Sequence, residues 1–254
     1  MAICELHFKS GGALGHMTSA LALVPERGTG PFPVWYLLHG LSDDHTAWLR
    51  WTSLERYLGD LPLIVVMPDG GRGFYTDSRA DKNAAHETQI VKDLIGFVDG
   101  RFRTVASRRG RVVSGLSMGG YGALKFALKY PSLFRAAASH SGALLRGSGT
   151  LGETGEWKLE MDRIFGPKPA GGPDDLLALA KRCARAARPA LWIDCGAEDF
   201  LLNDNRTFHT HLEKLGYPHV YTEYPGAHTW EYWDEHVRDV LAFFTRTLGL
   251  TTPA

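Results

Sequence analysis

Residues 115–119 read GLSMG, a single serine held between glycines. A run of apolar β-formers, RVVSGL (111–116), precedes it, and a helical pattern, MGGYGALKFALKY (118–130), follows at once. The spacing G-x-S-x-G at a strand-to-helix junction leaves Ser117 on a sharp, strained turn with its hydroxyl exposed. Gly115 and Gly119 keep neighbouring backbone from colliding with that turn. Ser117 is also expected to cap the helix, where unpaired N–H groups and the positive dipole end face a bound group. The bland alternative is a glycine-rich cap without chemistry. The sharper reading is a nucleophile, and a serine hydroxyl attacks only when a base removes its proton.

Such a serine needs a histidine and an acid, in the chain order Ser, Asp or Glu, His. Eleven histidines are present. His228, in EYPGAHTWEYW, falls between a strand and a helix, on the sheet edge that carries Ser117. His140, in SHSG, ends the strand after the nucleophile helix and is the main competitor. His209 and His211 are two apart on a helix and read as solvated, His219 begins a strand at the wrong edge, and His236 lies within the last helix. The acid is expected after the strand ALWIDC, in GAEDFLLND (196–204), where Asp199 is best placed. Glu198, Asp194 and Asp204 compete; Asp194 lies inside the strand, and Asp204 reads as the cap of the next helix.

A tetrahedral intermediate requires backbone donors for its oxyanion. One is the N–H of the residue after the nucleophile, Met118, and the other comes from the loop after the third strand. That loop is LLHGLSDD (37–44), where Gly40 lets the backbone approach and Leu41 offers its N–H. A mere turn is the competing reading of HGL.

The elements that must position these groups follow from hydrophobic pattern. ICELHF (3–8) and SALALV (19–24) alternate and read as an antiparallel opening pair. VWYLLH (34–39) and LIVVM (63–67) are continuous apolar runs, as in strands buried on both faces. FRAAAS (134–139), ALWIDC (190–195) and HVYTEY (219–224) are further strands. Helical spacing marks 46–58, 87–102, 118–130, 205–216 and 229–248. The alternation indicates an α/β fold: a mostly parallel central sheet of about eight strands with helices on both faces. One domain over 1–254 is expected, with a Gly- and Pro-rich, cap-like insertion at 143–189 over the carboxyl ends of the strands. GRGFYTDS (72–79) reads as a loop at the site rim, with Tyr75 either lining the pocket or packed. Trp48, Trp51, Trp230 and Trp233 read as core, Trp230 being nearest the base.

Composition narrows the partners. Hydrophobic residues make up 44% and charged residues 22%, enough for a buried core. Basic and acidic residues balance at 28 each, so no long-range field recruits nucleic acid or an anionic membrane. No apolar run reaches the roughly 20 residues of a bilayer span. The three cysteines are scattered and form neither a disulfide framework nor a metal cluster. No phosphate cradle or metal motif is visible, so no cofactor and no metal are expected. The N-terminus lacks a basic start followed by an apolar core, and a cytoplasmic protein is expected.

Taken together, HGLSDDHTAW, MPDGGRGFYTDS, GLSMGGYGALKFALKYP, GAEDFLLNDN and GAHTWEYWDE resemble the esterase D group of α/β-hydrolases over nearly the whole chain. GLSMGGYGA and HTWEYWD look most like the tributyrin esterase branch, which also resembles certain acetyl and feruloyl esterases. The S-formylglutathione hydrolase branch usually carries His where this chain has Leu116 and Tyr121, so thioester hydrolysis ranks second. The secreted mycolyltransferase branch ranks third. The resemblance implies the α/β-hydrolase fold and a serine carboxylesterase acting on short-chain acyl esters, small molecules. It implies the same roles for Ser117, Asp199, His228, Leu41 and Met118. The branch often self-associates, which gives a homo-oligomer as an expectation.

Overall fold

The computed structural model describes residues 1–149 and 154–251. Part of the expected insertion, 150–153, lies outside the described residues.

Eight strands form one sheet: β1 (Ala2–Ser10), β2 (His16–Val24), β3 (Val34–Leu38), β4 (Ile64–Pro68), β5 (Arg111–Leu116), β6 (Ala136–His140), β7 (Ala190–Gly196) and β8 (Val220–Tyr224). Their order is β1-β2-β4-β3-β5-β6-β7-β8. β1 and β2 pair antiparallel, β2 meets β4 antiparallel, and every pairing from β4 through β8 is parallel. The continuous apolar runs occupy the middle, where β3, β4 and β5 are buried along their whole length.

Alternate side chains of each strand go to opposite faces. In β3, Tyr36 and Leu38 join the core cluster that also holds Leu124 and Phe126, while Trp35 and Leu37 join the one that holds Val237 and Phe244. The first face is covered by α3 (His86–Thr88), a π-helical stretch (Gln89–Leu94), α4 (Ile95–Arg101), α5 (Met118–Lys129), α6 (Gly155–Phe165), α7 (Leu176–Arg182) and α8 (Leu202–Lys214). The second face is covered by α1 (Ala47–Trp51), α2 (Leu54–Leu58) and α9 (Trp230–Leu248). This is the doubly covered α/β arrangement that the alternation of strands and helices implied.

Two helices depart from the regular pattern expected of them. The pattern over 46–58 is split between α1 and α2, because Thr52 is extended and Ser53 N–H donates to Asp234 Oδ1 of α9 at 2.7 Å. The pattern over 87–102 contains the π-helical stretch, which begins at the fully buried Gln89. The Gln89 amide donates to Asp69 O at 2.8 Å and to Thr18 Oγ1 at 3.1 Å, partners that lie beyond the helix.

The described residues of 143–189 pack on α5 and on the loop after β4. Tyr121 OH donates to Asp174 O at 2.6 Å, and the N–H groups of Arg79 and Ala80 donate to Ile164 O and Arg163 O, each at 3.1 Å. Beneath it lies a buried ionic cluster. Lys125 Nζ, fully enclosed, meets Glu87 Oε2 at 2.7 Å, Tyr75 O at 2.7 Å and Thr76 Oγ1 at 2.8 Å. Lys129 bridges Glu87 and Asp174.

Candidate active site

The register of the central strands brings the candidate residues to one edge. Gly115 of β5 lies beside Leu38 of β3, and Leu116, His140 and Asp194 align across β5, β6 and β7. The loops leaving β3, β5, β7 and β8 therefore emerge together, each from the carboxyl end of its strand.

Ser117 links β5 to α5 with φ +52° and ψ −115°, a conformation costly for a residue with a Cβ. Backbone hydrogen bonds hold it: Ser117 N–H donates to His140 O at 2.9 Å, and Ser117 O accepts from Tyr121 and Ala143, each at 3.1 Å. The turn needs its glycines. A Cβ on Gly115 would meet Gly119 C at 2.6 Å, and one on Gly119 would meet Leu38 O at 2.5 Å. One expectation is corrected here. Ser117 occupies the cap position, but its side chain makes no capping bond, so the hydroxyl is not engaged by the helix end. Met118 is the first residue of α5, where an N–H has no partner within the helix.

Asp199 and His228 meet although 29 residues separate them. His228 Nδ1 lies 2.8 Å from Asp199 Oδ2, and Asp199 Oδ1 accepts from Leu201 N–H at 2.8 Å. The Asp199 carboxylate is buried completely. Burial works against its charge, but hydrogen bonds from His228, Leu201 N–H and Ser141 prevail and hold the carboxyl below its ordinary value. With Nδ1 facing an ionised carboxylate, Nδ1 carries the proton and Nε2 is left as the basic nitrogen. The ring is clamped between Phe200, 4.5 Å away, and Trp233, 4.9 Å away and perpendicular. The two loops are themselves joined: Glu198 N–H donates to Gly226 O at 3.0 Å, and Gly226 N–H donates to Glu198 Oε2.

Ser117 and His228 open on one cleft of about 520 Å³, with Gly40 and Leu41 in its wall. Trp51, Phe200, Trp230 and Trp233 supply an aromatic surface, and Asp43 and Glu231 supply carboxylates. Trp51 was expected in the core; it is instead 54% exposed and stacks on Trp230 at 6.4 Å. Trp48 is buried as expected, its indole N–H donating to Leu38 O at 3.0 Å. No described residue of 143–189 lines this cleft, and the loop 72–79 does not form its rim. Phe74 and Tyr75 are packed beneath the surface, both at positive φ.

The competing residues have other partners. His140 is buried and pairs with Asp194 at 2.9 Å, while Tyr232 OH donates to the same carboxylate at 3.0 Å. His236 pairs with Asp239, and His209 Nδ1 lies 2.8 Å from His219 Nε2, so His209 is not simply solvated. His211 likewise contacts Leu177 O at 2.8 Å. Asp204 sits in the first turn of α8 rather than at its cap, which is Leu201.

Ser141 escaped the sequence reading. It has φ +48°, it helps hold the Asp199 carboxyl below its ordinary value, and its Oγ accepts from Trp233 Nε1–H at 3.3 Å. A serine after a strand end carries no signal of such a role, apart from the small residues of SHSG. Among the described residues, no group of three or more His, Cys, Asp or Glu is arranged to hold a metal ion. No described helix is long and apolar enough to cross a membrane.

Comparison with known proteins gives the family. Residues 12–244 match the model of the Esterase family, and the chain belongs to that family. An esterase of Mycobacterium tuberculosis is 31% identical over 85% of this chain; the chain spans about half that relative's length, 53%. An acetyl esterase of Caldicellulosiruptor saccharolyticus is 26% identical over 97% of this chain and 99% of its own. Among solved structures, a substrate-bound fluorophosphonate-binding serine hydrolase of Staphylococcus aureus superposes with a TM-score of 0.86. It is 26% identical and covers 97% of this chain and 98% of its own. The fold is that of the α/β-hydrolase esterases.

Proposed function

We propose that this chain is a serine carboxylesterase that cleaves short-chain acyl esters through an acyl-serine intermediate. The observation that carries the reading is the 2.8 Å contact between buried Asp199 and His228, whose ring shares a cleft with Ser117. In this mechanism His228 Nε2 takes the Ser117 proton as Oγ attacks the ester carbonyl carbon. The N–H groups of Leu41 and Met118 stabilise the oxyanion. Collapse of the tetrahedral intermediate breaks the carbon–oxygen bond, and His228 gives its proton to the departing alcohol. A water molecule, deprotonated by His228, then attacks the acyl-serine; the carbon–Oγ bond breaks, His228 returns its proton to Ser117 Oγ, and the acid is released. Asp199 stays ionised throughout and stabilises the imidazolium in each half-reaction.

The whole of 1–254 is taken to act as one domain, in which the described residues of 143–189 brace α5. Cys4, Cys183 and Cys195 are all free, which suits a reducing, cytoplasmic setting. Oxygen esters are favoured over glutathione thioesters by the cleft's charge. The ionisable groups in its wall besides His228 are the carboxylates Asp43 and Glu231, whereas glutathione carries two carboxylates and one ammonium. Burial raises the Asp43 carboxyl above its ordinary value, with Arg50 opposing.

The test is hydrolysis of p-nitrophenyl acetate beside S-formylglutathione, with Ser117→Ala as control. Acetate turnover that vanishes in the variant and exceeds thioester turnover supports the reading. A preference for the thioester would replace it with the second branch.

A further inference from the structure

We propose that His39 is a positioning residue for the Leu41 N–H, acting as a neutral imidazole with its proton on Nδ1. The inference rests on the oxyanion role given above to Leu41. His39 is 1% exposed and does not line the cleft. Its Nδ1 lies 2.7 Å from Gly40 O, and its Nε2 lies 2.9 Å from the N of Gly70, whose N–H points at it. A carbonyl oxygen only accepts and a peptide N–H only donates. Nδ1 must therefore carry the proton and Nε2 must be bare, since any other state sets two donors or two acceptors face to face. Asp69 Oδ1 is 3.7 Å from Nε2, beyond hydrogen-bond reach, and instead accepts from Gly71 N–H at 2.9 Å.

The consequence follows from peptide geometry. In a trans peptide the C=O and the N–H point in opposite directions. Fixing Gly40 O with His39 Nδ1–H therefore fixes the direction of the Leu41 N–H, which belongs to the same peptide unit. Asp43 N–H adds a longer bond to Gly40 O at 3.3 Å. Gly40 sits directly against the nucleophile turn: a Cβ built on it would meet Leu116 Cδ1 at 2.5 Å and Ser117 Cβ at 3.8 Å.

The same device recurs one peptide group away. Asp69 O accepts from the Gln89 amide at 2.8 Å, which aims the Gly70 N–H of that peptide at His39 Nε2. Tyr75 OH donates to His39 O at 3.0 Å, and Tyr75 O accepts from Lys125 Nζ. The π-helical stretch reaches the imidazole through Gly70, and the strained Phe74–Tyr75 turn, held by the buried lysine, reaches the backbone of the same residue.

Two substitutions separate this role from simple packing. In His39→Asn the side-chain amide reaches the place of Nδ1 and still donates to Gly40 O. In His39→Gln it reaches the place of Nε2 and still accepts from Gly70 N–H. With p-nitrophenyl acetate, His39→Asn is expected to keep kcat within about fivefold, while His39→Gln loses on the order of 10²-fold, both with KM nearly unchanged. Equal losses, a larger loss in His39→Asn, or a loss carried by KM would overturn the proposal. If either variant fails to fold, 15N NMR of the wild-type imidazole decides: a protonated Nδ1 and bare Nε2 support it, and an Nε2–H form or an imidazolium at neutral pH refutes it. That spectrum does not depend on activity. Labelling of Ser117 by a phosphonate stands or falls separately with the esterase reading.

Discussion

The two walls of the cleft are built differently. The wall holding Gly40, Leu41 and Ser117 lies where β3 and β5 adjoin at the centre of the sheet, and its shape is made by backbone. Carbonyls of Leu38 and His39 press on Gly119, and His140 O takes the Ser117 N–H. The wall holding Asp199 and His228 stands on the loops after β7 and β8, towards the sheet edge. Its shape is made by side chains: the Asp199–His228 bond, the Ser141 hydroxyl, and the rings of Phe200 and Trp233. Backbone contacts cannot be altered without altering the fold, whereas side-chain contacts can. Damage to the first wall should cost stability and turnover together, and damage to the second should cost turnover alone.

Asp199→Asn tests the second wall hardest. The amide keeps the size of the carboxylate but presents N–H to His228 and disfavours the Nδ1–H tautomer. A loss of about 10⁴-fold in kcat is expected, with little change in unfolding temperature. A large parallel fall in stability would show that this wall is structural as well.

The first wall rests partly on the ionic cluster below it. Burial opposes the charge on Glu87, yet Lys125 and Lys129 hold its carboxyl down to about 2, against an ordinary 4.5. A depressed acid contributes its full stability above pH 4.5 and loses it as pH falls towards 2. Wild-type stability should fall through that window, and Glu87→Gln should flatten the fall. At neutral pH Glu87→Gln should cost about 3–5 kcal/mol in chemical denaturation, because Lys125 loses its nearest counter-charge. Asp174, 3.7 Å from Lys125 Nζ, places the expectation at the low end.

Gly119→Ala tests the backbone directly. Its Cβ would meet Leu38 O and His39 O at 2.5 and 2.6 Å, neither of which is a movable side chain. About 1–3 kcal/mol of stability should disappear together with turnover. Loss of only one of the two would break the comparison.

Arg72→Ala is the smallest. Arg72 donates to Ser42 Oγ, next to Leu41, and pairs with Glu160 of α6, but it is half exposed. Such a pair contributes about 0–1 kcal/mol, and kcat should stay within about twofold. A tenfold fall would mean that the loop depends on side chains of the 143–189 segment.

The second wall was the more legible in sequence. Asp199 and His228 each follow an apolar strand run, as Ser117 does in the first wall, so topology alone carries them to one edge. The supports of the first wall were hidden because their signals are three-dimensional. Lys125 reads as an ordinary helix cation until Glu87 arrives from 38 positions upstream. His39 looks like part of a turn until Gly70 is brought to its far nitrogen. Trp51 was read as core because apolar spacing does not tell the buried face of a short helix from a cleft wall. The π-helical stretch at Gln89–Leu94 keeps a helical apolar pattern and leaves no mark in composition.

The central claim is that Ser117 is the nucleophile activated by His228, and a fluorophosphonate probe reaches it most directly. The protein is treated with the probe, digested and mapped by mass spectrometry, with Ser117→Ala in parallel. The expected result is a single adduct on Ser117, absent from the variant and formed far more slowly in Asp199→Asn. An adduct on another residue, or none in active wild-type protein, would contradict the account.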